Sequence, residues 1–374
     1  MLIGIDASRT TVARRTGTEN YTLHLIRTLL SLWNGMASRP HVRLYFRDRP
    51  APDLLPPDEH VEQRTMPFPR LWTHLRLSWE MVRRPPDLLF VPAHVLPPLR
   101  PRRSIVAVHD LGYLHFPQAH RTLDRLYLDL STRWNARVAA HILADSQATK
   151  ADLMRHYATP AGKISVVYPG PDEALRRVDD PAAVAAVKAK YGITADYVLY
   201  LGTLQPRKNL ARLVDAFARL HTQYELRNTQ LILAGRKGWL YDQIFSRVQA
   251  HGLAERIVFT DYLPNADLPT LLSGARAFAF PSLYEGFGFP VLEAMRCGVP
   301  VVCANTSSLP EIAGDAALLI DPLDTGALAA ALAQALSDEP LRAELIARGY
   351  AQAQRFSWDR AARQVAAVIE ELSR

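Results

Sequence analysis

Short apolar runs alternate with helix-periodic stretches along nearly the whole chain, and one Pro/Gly break divides them into two series. Runs of this kind bounded by turn residues read as strands, and strands spaced by helices imply parallel sheets covered on both faces. In the first series, residues 2–6, 41–46, 88–91, 104–108, 141–145 and 164–167 read as strands. Residues 20–33, 122–140 and 148–157 read as helices. The cluster Tyr168-Pro169-Gly170-Pro171 closes the series, and the polar stretch to Asp180-Pro181 reads as a linker. In the second series, 197–201, 231–234, 257–260, 275–281 and 299–303 read as strands, with helices at 211–222, 241–251, 268–273 and 291–297. The Pro-rich piece 50–69 reads as an irregular loop. The expected fold class is α/β: two Rossmann-like doubly wound domains, 1–175 and 176–356, facing a central cleft. Ligands of such sheets bind outside the carboxyl ends of the strands.

At 374 residues the chain has room for two such cores. It has no apolar run long enough to span a bilayer. Met1-Leu-Ile-Gly-Ile-Asp6 enters a strand at once, without a basic leader, so a cytoplasmic protein is expected. Cys297 and Cys303 read as buried thiols in a reducing compartment, and no metal cluster is evident. The formal charge of +7 is uneven: residues 1–175 carry 23 Lys+Arg against 16 Asp+Glu, and the remainder is neutral. A basic half fits a lipid head group, a lipid diphosphate or a nucleic acid. An arginine-rich composition alone accounts for it equally well. No recognition helix supports nucleic acid binding, whereas peripheral contact with an anionic inner membrane face is consistent with the charge. The basic stretch Arg70–Arg84 carries Trp72 and Trp79 at amphipathic spacing; it fits an interfacial helix, but reads first as a surface helix whose Trp side chains enter the core.

The run Glu285-Gly-Phe-Gly-Phe-Pro-Val-Leu-Glu293 joins a predicted strand to a predicted helix. Glu285 should lie in the loop and Glu293 in the first helical turn. Carboxylates beside free helix-start amides accept hydrogen bonds from sugar hydroxyls while the amides hold an anion. Two acids at a helix start are otherwise explained by the macrodipole alone. Leu201-Gly-Thr-Leu-Gln-Pro-Arg-Lys-Asn209 follows the first strand of the second series. Arg207 and Lys208 at the next helix start suit a diphosphate.

Together these segments resemble the E-x7-E signature and the P-R-K-N segment of the retaining glycosyltransferase family GT4, which has the GT-B fold. The resemblance implies that Glu285 contacts donor-sugar hydroxyls, that Glu293 holds the ribose, and that Lys208 and Arg207 hold the donor diphosphate. Many members carry an Arg after the Gly, where this chain has Thr203. His109, in Val106-Ala-Val-His-Asp-Leu111, matches the family histidine at the sugar, with Asp110 its partner or a second contact. Gly17 of Arg14-Arg-Thr-Gly-Thr-Glu-Asn-Tyr21 matches the family's Gly-rich loop, where a plain strand-to-helix loop reads almost as well. Gly202, Gly235, Tyr262, Leu263, Gly286, Phe287, Gly288 and Phe289 complete the implied donor site. Ser307-Ser308-Leu-Pro-Glu311 faces the same edge, and Asp145-Ser-Gln147 the acceptor side, with Ser146 equally a helix cap. The family habit also implies a last helix, 357–374, capped by Ser357 and returned to the first domain.

The implied activity is a metal-independent transfer of a hexose, from a nucleotide-diphosphate sugar of the GDP-mannose or UDP-glucose class, to a glycan or lipid-linked acceptor. Bacterial mannosyltransferases are the nearest likeness. The first domain would bind acceptor and the second donor. A nucleotide-sugar epimerase of the same fold, or a non-catalytic sugar-nucleotide binder, are the alternatives.

Overall fold

The computed structural model describes residues 1–12, 17–55, 58–93, 95–119, 121–224, 226–238 and 241–374. The chain forms two compact units, residues 1–170 with 356–374, and residues 171–355. The first boundary falls five residues before the expected one at 175/176, and the return begins at Phe356.

The first unit is a seven-stranded, wholly parallel sheet of β1 (Leu2–Asp6), β2 (His41–Phe46), β3 (Val61–Thr65), β4 (Leu88–Val91), β5 (Ser104–Val108), β6 (His141–Ala144) and β7 (Ile164–Val166). Their spatial order is β3-β2-β1-β4-β5-β6-β7. β4 and β5 are buried at every position, which is why they read as unbroken apolar runs. β3 corrects the loop expected at 50–69. It is a polar edge strand on β2, with Glu62 opposite Arg43 and their side chains 2.7 Å apart.

The last helix, Trp358–Ser373, packs on the helix Gly17–Asn34 of the same unit. Trp358 stacks on His24 at 5.4 Å and meets Tyr21 edge-on at 5.7 Å. The Ser357 hydroxyl caps it, accepting from Arg360 N. Gly170 permits the return: a Cβ there would lie 2.5 Å from Trp358 N.

The second unit is a six-stranded parallel sheet of β8 (Asp196–Leu201), β9 (Thr229–Ala234), β10 (Ile257–Asp261), β11 (Ala277–Phe280), β12 (Val301–Ala304) and β13 (Ala317–Ile320). Its order is β10-β9-β8-β11-β12-β13. The helix Leu210–Gln223 buries Leu210, Leu213, Val214, Phe217 and Leu220, one stripe at helical spacing, and leaves its polar face in water.

Candidate active site

The order of the second sheet reverses between β8 and β11. The chain runs outward through β9 and β10, then returns and runs outward on the other side. Loops leaving β8 and β11 therefore emerge side by side at the carboxyl edge, where such sheets bind their ligands. The β8 loop places Arg207 and Lys208 on a short 3-10 turn, Pro206–Lys208; the β11 loop places Glu285.

These three side chains meet. Lys208 Nζ lies 2.5 Å from Glu285 Oε1, and Arg207 Nη1 lies 3.3 Å from Oε2. Arg207 also donates to the Tyr284 carbonyl. The main chains are tied as well, with Leu283 N donating to the Arg207 carbonyl at 2.9 Å. Asn209, held at φ 60°, donates its side-chain amide to the carbonyls of Pro281 at 3.1 Å and Pro322 at 2.7 Å. The Ser307 hydroxyl accepts from Glu285 N at 2.9 Å, and the Ser308 hydroxyl donates to the carbonyls of Glu285 at 3.0 Å and Phe287 at 2.6 Å. Three loops thus fix one carboxylate against two cations.

Glu285 and Lys208 are both buried, which raises the stakes of their pairing. Burial pushes the Glu285 carboxyl up, but the Lys208 and Arg207 charges outweigh it and hold the group below the usual glutamate range. The carboxylate is charged at neutral pH, the form that accepts hydrogen bonds from hydroxyls. Two cations against one carboxylate leave the group with a net positive charge.

Gly202 and Gly235 are pressed together: a Cβ on Gly235, at φ 144°, would lie 2.1 Å from the Gly202 carbonyl oxygen. Gly202 N donates to the Ala234 carbonyl and Gly235 N to the Asp261 carbonyl, so the two glycines join the ends of β8, β9 and β10. Tyr262 is exposed beside them and Leu263 is buried. Gly286, Phe287 and Gly288 continue the β11 loop. Phe287 is buried and meets Phe289 edge-on at 4.9 Å.

Glu293 departs from the expected register. Its helix is Phe289–Arg296 with Gly288 as N-cap and Pro290 in the first turn, so Glu293 falls in the second turn. Burial, and then the negative charge of Asp172, push its carboxyl up to about 7. Glu311 lies in the first turn of the short helix Leu309–Ala313, as expected of a helix-start acid.

In the first unit, Gly17 opens the helix Gly17–Asn34; Arg14, Arg15 and Thr16 lie outside the described residues. His109 follows β5, and its partner is Asp145, so of the two roles left open for Asp110 that of partner is taken. Nδ1 of His109 lies 2.7 Å from Asp145 Oδ2, while Asp110 accepts from Gly112 N. Burial works against the imidazolium, but the Asp145 charge and hydrogen bond outweigh it and hold the His109 pKa above the usual histidine value. The signal for Asp145 lies in the strand register. β5 and β6 are parallel neighbours with Val108 opposite Ala144, so the next residues, His109 and Asp145, must be adjacent. Ser146 caps the helix Gln147–Tyr157, accepting from Thr149 N at 3.0 Å.

One grouping was not legible in the sequence. His115, Asp152 and His156 bring their ligand-capable atoms within 4.8 Å of one another, with His115 Nε2 2.8 Å from Asp152.

Two doubly wound parallel units, with a carboxylate clamped by Arg and Lys at a sheet switch point, fit the GT-B fold that the motifs imply. Comparison with known proteins agrees. Residues 186–352 match the family model "Glycosyl transferases group 1", and residues 15–175 match "Glycosyltransferase Family 4". The chain is 36% identical over 292 residues to the O-antigen chain mannosyltransferase B of Escherichia coli, covering 78% of this chain and 76% of that one. It is 30% identical over 219 residues to the serotype-specific mannosyltransferase WbdA of Escherichia coli, 27% of that longer protein. Among solved structures, Anabaena HepE in complex with UDP and glucose superposes with a TM-score of 0.76 over 99% of both chains at 19% identity. WaaG, a glycosyltransferase involved in lipopolysaccharide biosynthesis, superposes with a TM-score of 0.74 over 99% of both at 19% identity. The chain belongs to the GT4 glycosyltransferases and is a transferase enzyme.

Proposed function

We propose that this enzyme transfers mannose from GDP-mannose to a hydroxyl of a growing bacterial surface polysaccharide, with retention of the anomeric configuration. The observation that carries the sugar assignment is the 36% identity, over 78% of the chain, to an O-antigen chain mannosyltransferase. The clamped Arg207–Lys208–Glu285 group supports a nucleotide-diphosphate donor. Lys208 and Arg207 neutralise the charge that grows on the departing diphosphate, and two fixed cations serve this better than mobile ones because they need no reorganisation as the bond breaks. That neutralisation is supplied by side chains, so transfer is expected to persist in a chelator. Glu285 accepts from the sugar hydroxyls, and Glu293 from the ribose. In the first unit, Asp145 orients a part-buried His109 imidazole that can bond a hydroxyl. The acceptor hydroxyl attacks the anomeric carbon on the face the diphosphate leaves, and a departing phosphate oxygen takes its proton.

The test is nucleoside diphosphate release from GDP-mannose and UDP-glucose, with and without mannan oligosaccharide acceptors, in the presence of EDTA. Acceptor-dependent release from GDP-mannose with an α-linked product is the expected result. Interconversion of the donor without acceptor would instead identify an epimerase, and binding without turnover a non-catalytic protein.

A further inference from the structure

Three side chains of the first unit form a donor set that the transfer reaction does not use. His115 ends the short helix Gly112–His115, which follows β5. Asp152 and His156 lie four apart on the helix Gln147–Tyr157, which follows β6, and so share one face of it. β5 and β6 are parallel neighbours, so the segments that leave them start side by side. The register that joins His109 to Asp145 brings His115 to Asp152 a few residues further on.

The geometry centres on Asp152. Its Oδ2 lies 2.8 Å from His115 Nε2, and its Oδ1 lies 3.9 Å from His156 Nε2. The two imidazole rings stand 5.9 Å apart, centroid to centroid, and nearly perpendicular at 89°. One ligand-capable atom from each residue falls within 4.8 Å of the other two. Bonds of about 2.0–2.2 Å in a tetrahedral shell put ligand atoms roughly 3.3 Å apart, so closing the set takes side-chain movement on the order of 1 Å. The imidazoles can supply it, because their side chains are 34% and 36% exposed. Asp152 is buried and serves as the anchor.

A histidine–aspartate pair by itself is ordinary. His251 and Asp215 make one at 2.8 Å, but that carboxylate also faces Arg247 at 3.7 Å, a cation with no lone pair to offer a metal. At Asp152 the second neighbour is another imidazole. Two imidazoles and one carboxylate give nitrogen and oxygen donors that suit Zn²⁺ and its first-row neighbours, with a position left for water. They do not suit Mg²⁺ or Ca²⁺, which take oxygen ligands.

We propose that His115, Asp152 and His156 bind one divalent cation of the Zn²⁺ class, which ties the helix Gly112–His115 to the helix Gln147–Tyr157. These helices follow the strand ends that carry His109 and Asp145, and the Thr149 hydroxyl of the second already donates to the His109 carbonyl at 3.3 Å. An ion across them holds that pair in place. The site lies wholly in the first unit, whereas the Arg207–Lys208–Glu285 clamp lies in the second. The ion therefore stabilises the fold rather than taking part in transfer, and the proposal does not rest on the donor or the sugar.

The test uses the full chain without an affinity tag, stripped with EDTA, freed of chelator and titrated with Zn²⁺ or Co²⁺ alone. Titration calorimetry is expected to show one ion bound per chain. The melting temperature is expected to rise by roughly 5–10 °C at about a hundredfold excess of Zn²⁺ over its dissociation constant. Co²⁺ is expected to give the visible absorption bands of a nitrogen- and oxygen-ligated ion. His115→Ala and His156→Ala are each expected to weaken binding by more than about tenfold, and to remove most of the melting shift and the Co²⁺ bands. His251→Ala is expected to change none of these. Both imidazoles of the site are exposed, so the circular dichroism of the metal-free variants is expected to match the wild type. Absence of Zn²⁺ binding by the stripped wild type, binding unchanged in both site variants, or Mg²⁺ bound as tightly as Zn²⁺ would overturn the proposal.

Discussion

Lys208→Met removes one charge from the clamp and keeps most of its volume. Glu285 is 8% exposed, and Lys208 is its closest cation at 2.5 Å. Breaking a buried ion pair outright costs about 3–5 kcal/mol, because the abandoned charge remains desolvated. Here Arg207 remains 3.3 Å from the other oxygen. The expected stability loss is therefore lower, about 2 kcal/mol, a fall in melting temperature of roughly 4–8 °C. The catalytic loss should be larger. A fixed charge aimed at a developing anion contributes about 3–4 kcal/mol, so kcat should fall roughly a hundred- to a thousandfold. Denaturant titration against pH separates the two effects. Glu285 has a depressed pKa in the folded protein, so its contribution to stability is present above the usual glutamate pKa and is lost as pH falls through the folded value. Without Lys208 the depression shrinks, and the acid-side loss of stability becomes shallower. Nucleoside diphosphate release at saturating donor measures kcat directly. A folded variant turning over within about threefold of wild type would refute the charge-stabilisation reasoning.

Glu293→Gln should gain stability relative to wild type as pH rises. The wild-type carboxyl titrates near 7 when folded, so the folded state retains a proton that the unfolded chain has already lost. The stability this gives is full below about pH 4.5 and is lost as pH rises through 7, a span of about 3 kcal/mol that Gln lacks; parallel pH-stability curves would contradict it. Asp145→Asn leaves His109 without its counter-charge, so the imidazole pKa should move down, read from the NMR titration of its ring protons. An unmoved titration would mean that another group holds the proton. Gly235→Ala drives a Cβ into the Gly202 carbonyl at 2.1 Å and should cost about 3 kcal/mol or more, seen as a large drop in melting temperature. A variant as stable as wild type would show that the β8 and β9 loops are not pressed together.

The central strands were legible because a parallel strand covered on both faces is largely apolar, as in β4, β5 after Ser104 and β9 after Gln230. The edges were not. β3 alternates Glu62, Gln63 and Arg64, and its pairing rests on backbone bonds and one cross-strand ion pair. The helix Pro181–Lys190, which starts where the expected linker ends, was missed because it buries none of its residues. Its signal was local: Asp180 as N-cap followed by Pro181. The acidic loop and the Arg-Lys pair could be read as motifs, whereas the His109–Asp145 contact required knowing that β5 and β6 are neighbours. The facing of residues 70–84 escaped because helical spacing is the same whichever side meets the core. Trp72 and Trp79 lie seven apart, yet one is buried and the other exposed.

The most direct measurement is a crystal structure of the chain with GDP-mannose. The account predicts the diphosphate within hydrogen-bond distance of Lys208 and Arg207, and the sugar hydroxyls on Glu285. A bound nucleotide whose diphosphate lies away from both cations would contradict it.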